Sequence, residues 1–231
     1  MNPLDLAVPL DQEVPWIKGV IHGFPGVGKT YFAAHAPEPV FIDFERSTET
    51  LRKIPGKEKT PVVRPETFKQ VREFVKVAPQ KFGTIIFDTV SSMQTFYMRE
   101  YMIVEGAKPG RDKFLPSQGD YRYATNELSD LWLELQEMAC NVLFLAHTKE
   151  HTNDQGNVVA LRPLLTPAVG DALSQFINVI GYLELKPNPL AKTTDRLLYL
   201  NSTNIILAKN RLGITEQSLK NPTFGDIFNA S

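Results

Sequence analysis

Apolar positions fall along the chain in two recurring textures. Short, nearly unbroken runs stand at IKGVIH (17–22), VFIDF (40–44), TIIFD (84–88) and NVLFLA (141–146). Runs of that length between polar turns predict strands buried on both faces of a parallel sheet. Between them the apolar spacing lengthens to that of a helix. Phe68, Val71, Val75 and Ala78 share one face of a segment near 66–78, and residues 90–105 carry a mixed apolar face. Leu128, Leu131, Trp132, Leu135 and Met138 form one stripe over 121–139, which places Trp132 in a core. A helix after Thr30 is stopped by Pro37, and residues 170–185 read as a short helix feeding a strand. RLLYLN (196–201) and IILAK (205–209) read as a hairpin-like pair, so antiparallel strands are expected to extend the parallel sheet.

The resulting fold class is α/β: a mostly parallel sheet flanked by helices, with a C-terminal antiparallel extension. Residues 1–16 carry three prolines and read as an extended arm, 17–211 as one core, and 212–231 as a surface tail. Two segments fit neither texture. GAKPGRDKFLPSQGD (106–120) and residues 150–168 read as long loops, and loops of that length in a compact domain usually carry function.

Composition narrows the picture in a few places. A chain of 231 residues can bury one sizeable α/β core. The formal net charge of −1 supplies no global basic field, so any nucleic-acid contact must rest on local clusters. The single cysteine, Cys140, cannot form an internal disulfide, which agrees with a reducing cytosol. The first ten residues lack a cationic start and a long apolar run, so no secretory signal is expected, and no membrane span is visible.

The strongest motif follows the first apolar run. In IKGVIHGFPGVGKT (17–30), Gly23 is followed by four residues and then Gly28, Lys29 and Thr30, the spacing of a P-loop. Small residues let successive backbone N–H groups turn inward on phosphate oxygens, so Gly23, Phe24, Pro25, Gly26, Val27, Gly28, Lys29, Thr30 and Tyr31 form the expected nucleotide cradle. Lys29 would reach the β- and γ-phosphates, and the Thr30 hydroxyl would hold Mg²⁺. The apolar run 84–88 ends in Asp88, a carboxylate placed to join Thr30 at the metal; an acidic N-cap for the helix that follows is the bland reading. Glu45 and His147 stand at the ends of two further runs. Ligands of open α/β sheets sit beyond the carboxyl ends of the strands, so Glu45, Asp88 and His147 should converge on the phosphates.

This order of features resembles the RecA-type ATPase core over residues 17–211. FIDFE (41–45) resembles the segment whose glutamate positions attacking water, IIFDTVSS (85–92) the Walker B strand, and VLFLAH (142–147) the strand ending in a γ-phosphate sensor. VGDALSQFINVIGYLEL (169–185) resembles the stretch after the second DNA loop, and ILAKNR (206–211) the segment whose two cations reach a neighbour's ATP. In size the chain is most similar to the bacteriophage RecA-core proteins of the Sak-like single-strand annealing group. The resemblance implies ATP and Mg²⁺ as cofactors and Glu45, Lys29, His147, Lys209 and Arg211 as catalytic residues. It departs from bacterial RecA in a histidine sensor and in Arg211 as the second finger.

By the same resemblance the two long loops would be DNA loops. The first offers Lys108, Arg111, Lys113 and Arg122 with Phe114, Tyr121 and Tyr123 interleaved; the second offers Lys149, His151 and Arg162. Cations that track a backbone and rings that stack on unpaired bases suit single-stranded DNA. The expected function is an oligomerising, DNA-dependent ATPase of the cytosol, the host's if phage-encoded, that promotes annealing or recombination. Its expected partners are single-stranded DNA and copies of itself in a filament or ring. A single-strand DNA-binding protein is a further candidate partner. A hexameric helicase-like or regulatory ring ATPase is the alternative. A P-loop kinase would need an arginine-rich lid, for which only Arg111 and Arg122 are at hand.

Overall fold

The computed structural model describes residues 16–112 and 114–228. Residues 1–15 of the expected arm, Lys113 and residues 229–231 of the expected tail lie outside them. In chain order the elements are β1 (Lys18–Gly23), α1 (Lys29–Ala33), β2 (Pro39–Asp43), β3 (Val62–Val63), α2 (Phe68–Val77), β4 (Thr84–Asp88), α3 (Val90–Glu105), α4 (Gln118–Gln136) and β5 (Asn141–Thr152). There follow β6 (Val158–Pro163), α5 (Pro167–Phe176), β7 (Val179–Asn188), β8 (Thr193–Tyr199), β9 (Lys209–Asn210), β10 (Ser218–Lys220) and α6 (Gly225–Phe228).

Among the described residues the strands form one sheet in the order β10-β8-β7-β1-β5-β4-β2-β3, with β6 on β5 and β9 on β7. The run from β7 to β3 is parallel, while β8, β9, β10 and β6 are antiparallel additions. The expected α/β class with its antiparallel extension is therefore the observed one. Every residue of β1 and β4 is buried, as strands covered on both faces require. Helices α2 to α5 cover one face, with Phe68, Val71, Val75, Leu128, Leu131 and Trp132 against Val20, Phe87 and Phe144. On the other face Phe32, Leu51, Ile54, Phe224 and Ile227 pack on Ile21, Phe41 and Ile86. Trp132 is a core residue, 1 % exposed.

Three local expectations need correction. RLLYL pairs with β7 and β10, and β9 pairs with the start of β7, so 196–201 and 205–209 are not a hairpin with each other. The short Ser202–Asn204 linker was a misleading turn signal, because the apolar run before it in the chain, β7, already offered a longer partner. Residues 150–168 are no open loop: β5 runs on past its buried half and folds back as β6, making a two-stranded ribbon over 148–163. Its exposed sequence is too polar for the buried-strand pattern to register. Past 212 the chain is not all surface, since β10 joins the sheet edge and Phe224 and Ile227 are buried.

Candidate active site

The β1 strand runs out at Gly23, where an added Cβ would lie 2.4 Å from the Leu183 carbonyl oxygen. Gly28 at φ 98° occupies the left-handed region that favours glycine, and a Cβ there would lie 2.5 Å from Arg196 Nε. Those two positions explain the glycines of the motif sterically. Lys29 Nζ donates to the carbonyls of Gly23 (2.9 Å) and Phe24 (3.0 Å), bridging the turn from within. Burial pulls the Lys29 ammonium below its ordinary pKa, against the opposing pull of Asp88 and Glu45. Val27 is buried beneath the turn and the partly buried Phe24 packs against the same core cluster.

A cavity of about 380 Å³ opens over this turn. Pro25, Gly26, Gly28, Lys29, Thr30 and Tyr31 line it from the loop side, and Glu45, Asp88, Thr89 and His147 from the strand ends. Parallel register sets the opposing wall: β2 lies beside β4 with Asp43 opposite Asp88, and β4 beside β5. Glu45, Asp88 and His147 therefore converge on the loop, as the strand-end argument requires.

The polar groups of this wall hold one another. Thr30 Oγ1 donates to Asp88 Oδ2 at 3.0 Å. Burial raises the Asp88 carboxyl to about 6, the Thr30 hydrogen bond working against it and the nearby Glu45 and Asp43 charges with it. Glu45 Oε1 accepts from Thr89 Oγ1 (2.6 Å), Ser92 Oγ (2.6 Å) and His147 Nε2 (2.8 Å). Burial pushes the Glu45 carboxyl up, but the hydrogen bonds from Ser92, Thr89 and His147 outweigh it and hold the group below its ordinary value. Asp43, buried beneath, accepts from Thr48 Oγ1 at 2.6 Å and from the backbone N–H of Glu45 at 3.1 Å, fixing the turn that carries Glu45.

A hydroxyl and one carboxylate beside a phosphate cradle suit Mg²⁺, which keeps most of its shell as water and phosphate oxygens. Thr30 and Asp88 are the residues that would hold it. Among the described residues no cluster of three or more His, Cys, Asp or Glu makes a metal cage.

The remaining candidates lie elsewhere. Lys209 pairs opposite Ile180 near the start of β7, its Nζ donating to the Ser174 carbonyl at 2.6 Å, and Arg211 is exposed just beyond. Neither lines the cavity of its own chain. Lys108 is held by Glu105 (2.7 Å) and Arg111 by Asp120 (2.6 Å), while Arg122 is exposed on the first turn of α4. Lys149 and Arg162 stand directly opposite each other on the ribbon, both exposed.

Residues 16–212 of the chain match the AAA domain family. The chain belongs to the AAA domain family. This AAA domain is a nucleotide-binding P-loop ATPase core. A solved structure of a KaiC-like protein from the hyperthermophilic archaeon Pyrococcus horikoshii is similar at 15 % identity, over 79 % of this chain and 77 % of that one, with a TM-score of 0.46. A comparison with curated proteins found no match. Among the described residues, no helix of the AAA domain is long and apolar enough to cross a membrane.

Sequence reasoning missed several residues of this AAA domain. Asp43, Thr89 and Ser92 position Glu45, and the only signal was the run of small hydroxyls in DTVSS after β4. Arg196, on β8, lies over the Tyr31 ring at 4.7 Å, and nothing local in its sequence marks it. His22 is buried on β1, its Nε2 donating to the Leu207 carbonyl at 3.0 Å and its Nδ1 accepting from Thr148 at 2.9 Å. Burial lowers it to about 4, so it is neutral at physiological pH and ties the P-loop strand to the ribbon root.

Proposed function

We propose that this ATPase uses Mg²⁺ and ATP to assemble with copies of itself on single-stranded DNA, and so promotes annealing or homologous recombination in the cytosol. The observation that carries the reading is the hydrogen bond between His147 Nε2 and Glu45 Oε1. It joins the carboxylate best placed to orient attacking water to the residue from which the cationic ribbon springs. Hydrolysis and DNA grip then share one hinge.

In this reading the backbone of Gly23 to Thr30 and the Lys29 ammonium hold the triphosphate, and Glu45 accepts the proton of the attacking water. Thr30 and Asp88 are the residues that would hold Mg²⁺, which would supply charge neutralisation to the triphosphate. His147 senses the γ-phosphate and passes its loss to the ribbon. Lys209 and Arg211, set away from their own cavity, serve the triphosphate of a neighbouring copy, where a cation stabilises developing charge. Lys149 and Arg162 contact DNA phosphates. Like charges directly opposite on paired strands destabilise a ribbon unless an anion lies between them, which supports the assignment. Lys108 and Arg111 already have carboxylate partners, so the first loop is the lesser contact.

The test is ATP hydrolysis with and without single-stranded DNA, with particle size followed in a non-hydrolysable analogue. DNA-stimulated turnover and growth of the particle are expected. A monomer indifferent to DNA would defeat the proposal. Lys29→Ala should abolish every nucleotide-dependent behaviour, and normal turnover in that variant would remove the P-loop from the mechanism.

A further inference from the structure

On the face of the ribbon turned toward α5 lies a second cavity of about 240 Å³, apart from the P-loop. Its floor is apolar and deeply buried: Val20 on β1, Leu173 and Ile177 at α5, and Ile180 on β7 are each 3 % exposed or less. Its mouth is cationic. Strand alternation sends Lys149 and His151 to one face of β5, and Arg162 stands opposite Lys149 on that same face, while Glu150 points the other way. Asp171 of α5 also stands at the rim. An apolar slot with a few polar groups at its lip suits a flat, partly apolar ligand that carries a negative charge at one end. A nucleobase attached to its phosphate has that form.

We infer that this cavity receives one unstacked base of the single strand, with Lys149 and Arg162 holding the adjoining phosphate. The inference rests on the DNA reading above and adds to it a base-sized pocket where a charged groove alone would suffice for binding. Leu207, in the cavity wall, is held by His22 on the P-loop strand, so the slot is anchored to the same strand that ends in the phosphate cradle. Asp171 at the rim can accept from a ring N–H on the edge of the base, as thymine N3–H offers.

Gly170 gives the means to test it. It lines the slot, and a Cβ there would meet only Leu165 Cβ at 3.7 Å, an ordinary contact, so a side chain can begin there without a clash and narrow the slot. Binding of a short oligodeoxythymidylate and of an abasic strand of equal length would be measured by anisotropy at one fixed low salt, for wild type and for Gly170→Leu. The wild type is expected to prefer the base-bearing strand about tenfold or more, as burial of one base's faces against an apolar floor implies. Gly170→Leu should abolish that preference while ATP hydrolysis without DNA, which reads the separate P-loop cavity, persists. Equal binding of both strands by the wild type, or a preference that survives Gly170→Leu, overturns the inference and leaves the DNA reading standing. Failure of the wild type to bind either strand overturns both. Displacement of the strand by thymidine monophosphate at micromolar concentration would assign the slot to a free nucleotide and overturn the inference as well.

Discussion

The first long loop and the ribbon both carry lysine and arginine, yet they treat their cations in opposite ways. In the 106–117 segment Lys108 is matched by Glu105, and Arg111 by the Asp120 carboxylate, which also closes a capping box with Ser117 at the start of α4. Those charges are used to end one helix and begin another. In the ribbon, Lys149 faces Arg162 across the strand pair, with Asp171 the carboxylate that shares their cavity. The difference teaches that a count of lysines and arginines does not locate an anion site. The proposed anion site instead rests on positive charge for which the fold supplies no ion pair within the ribbon. The ribbon is also the one of the two that is wired to the ATP cavity, through His147 and Glu45.

The sharpest way to break that wiring is Glu45→Gln. Loss of the proton acceptor should slow hydrolysis by about a hundredfold or more while nucleotide binding persists, and the DNA complex formed with ATP should outlast that of the wild type. Single-turnover hydrolysis and strand dissociation measured together would check it; ordinary turnover would cut the ribbon loose from the site. Next in size is the pairwise exchange. Lys149→Ala with Arg162→Ala should weaken single-strand binding about tenfold or more and flatten the salt slope of log affinity by about 1.4, two contacts' worth. Lys108→Ala with Arg111→Ala should move both by far less. Equal losses from the two pairs would erase the contrast.

Smaller effects sharpen it through stability. Lys149→Glu places opposite charges face to face on the ribbon, so the thermal midpoint should rise slightly while DNA affinity falls; a pair already compensated in the wild type would show no such rise. In the first loop the signature is acid sensitivity. Asp120 is held down to about 2, first by its Arg111 hydrogen bond and then by Ser117. A carboxylate depressed in the fold lends stability that is full above its unfolded value, near 4, and is lost as pH falls toward 2. Arg111→Ala should shift that loss to higher pH, as thermal melts across pH 2 to 5 would show, whereas DNA affinity at neutral pH should barely change.

Much of this was legible in the chain alone. Four apolar runs gave the strands, because burial on both faces leaves little room for polar residues, and the glycine spacing with Lys29 and Thr30 marked the phosphate cradle, because its chemistry is made by consecutive backbone atoms. The carboxyl ends of those runs even named Glu45, Asp88 and His147. Local signals failed where partners were distant in sequence. The small Ser202–Asn204 linker suggested a hairpin that the sheet did not make, since β8 gained a longer ladder with β7.

What the sequence determined by itself, then, was every feature whose cause is local: strand, turn, helix face and phosphate nest. Tertiary structure alone decided which charges remain free and which are cancelled, that Ser92 and Thr89 steady Glu45, that Arg196 lies over Tyr31, and that a ribbon and α5 enclose an apolar slot. Each of those depends on groups brought together across the sheet, and electrostatic compensation depends on distance in space, which spacing along a chain does not encode.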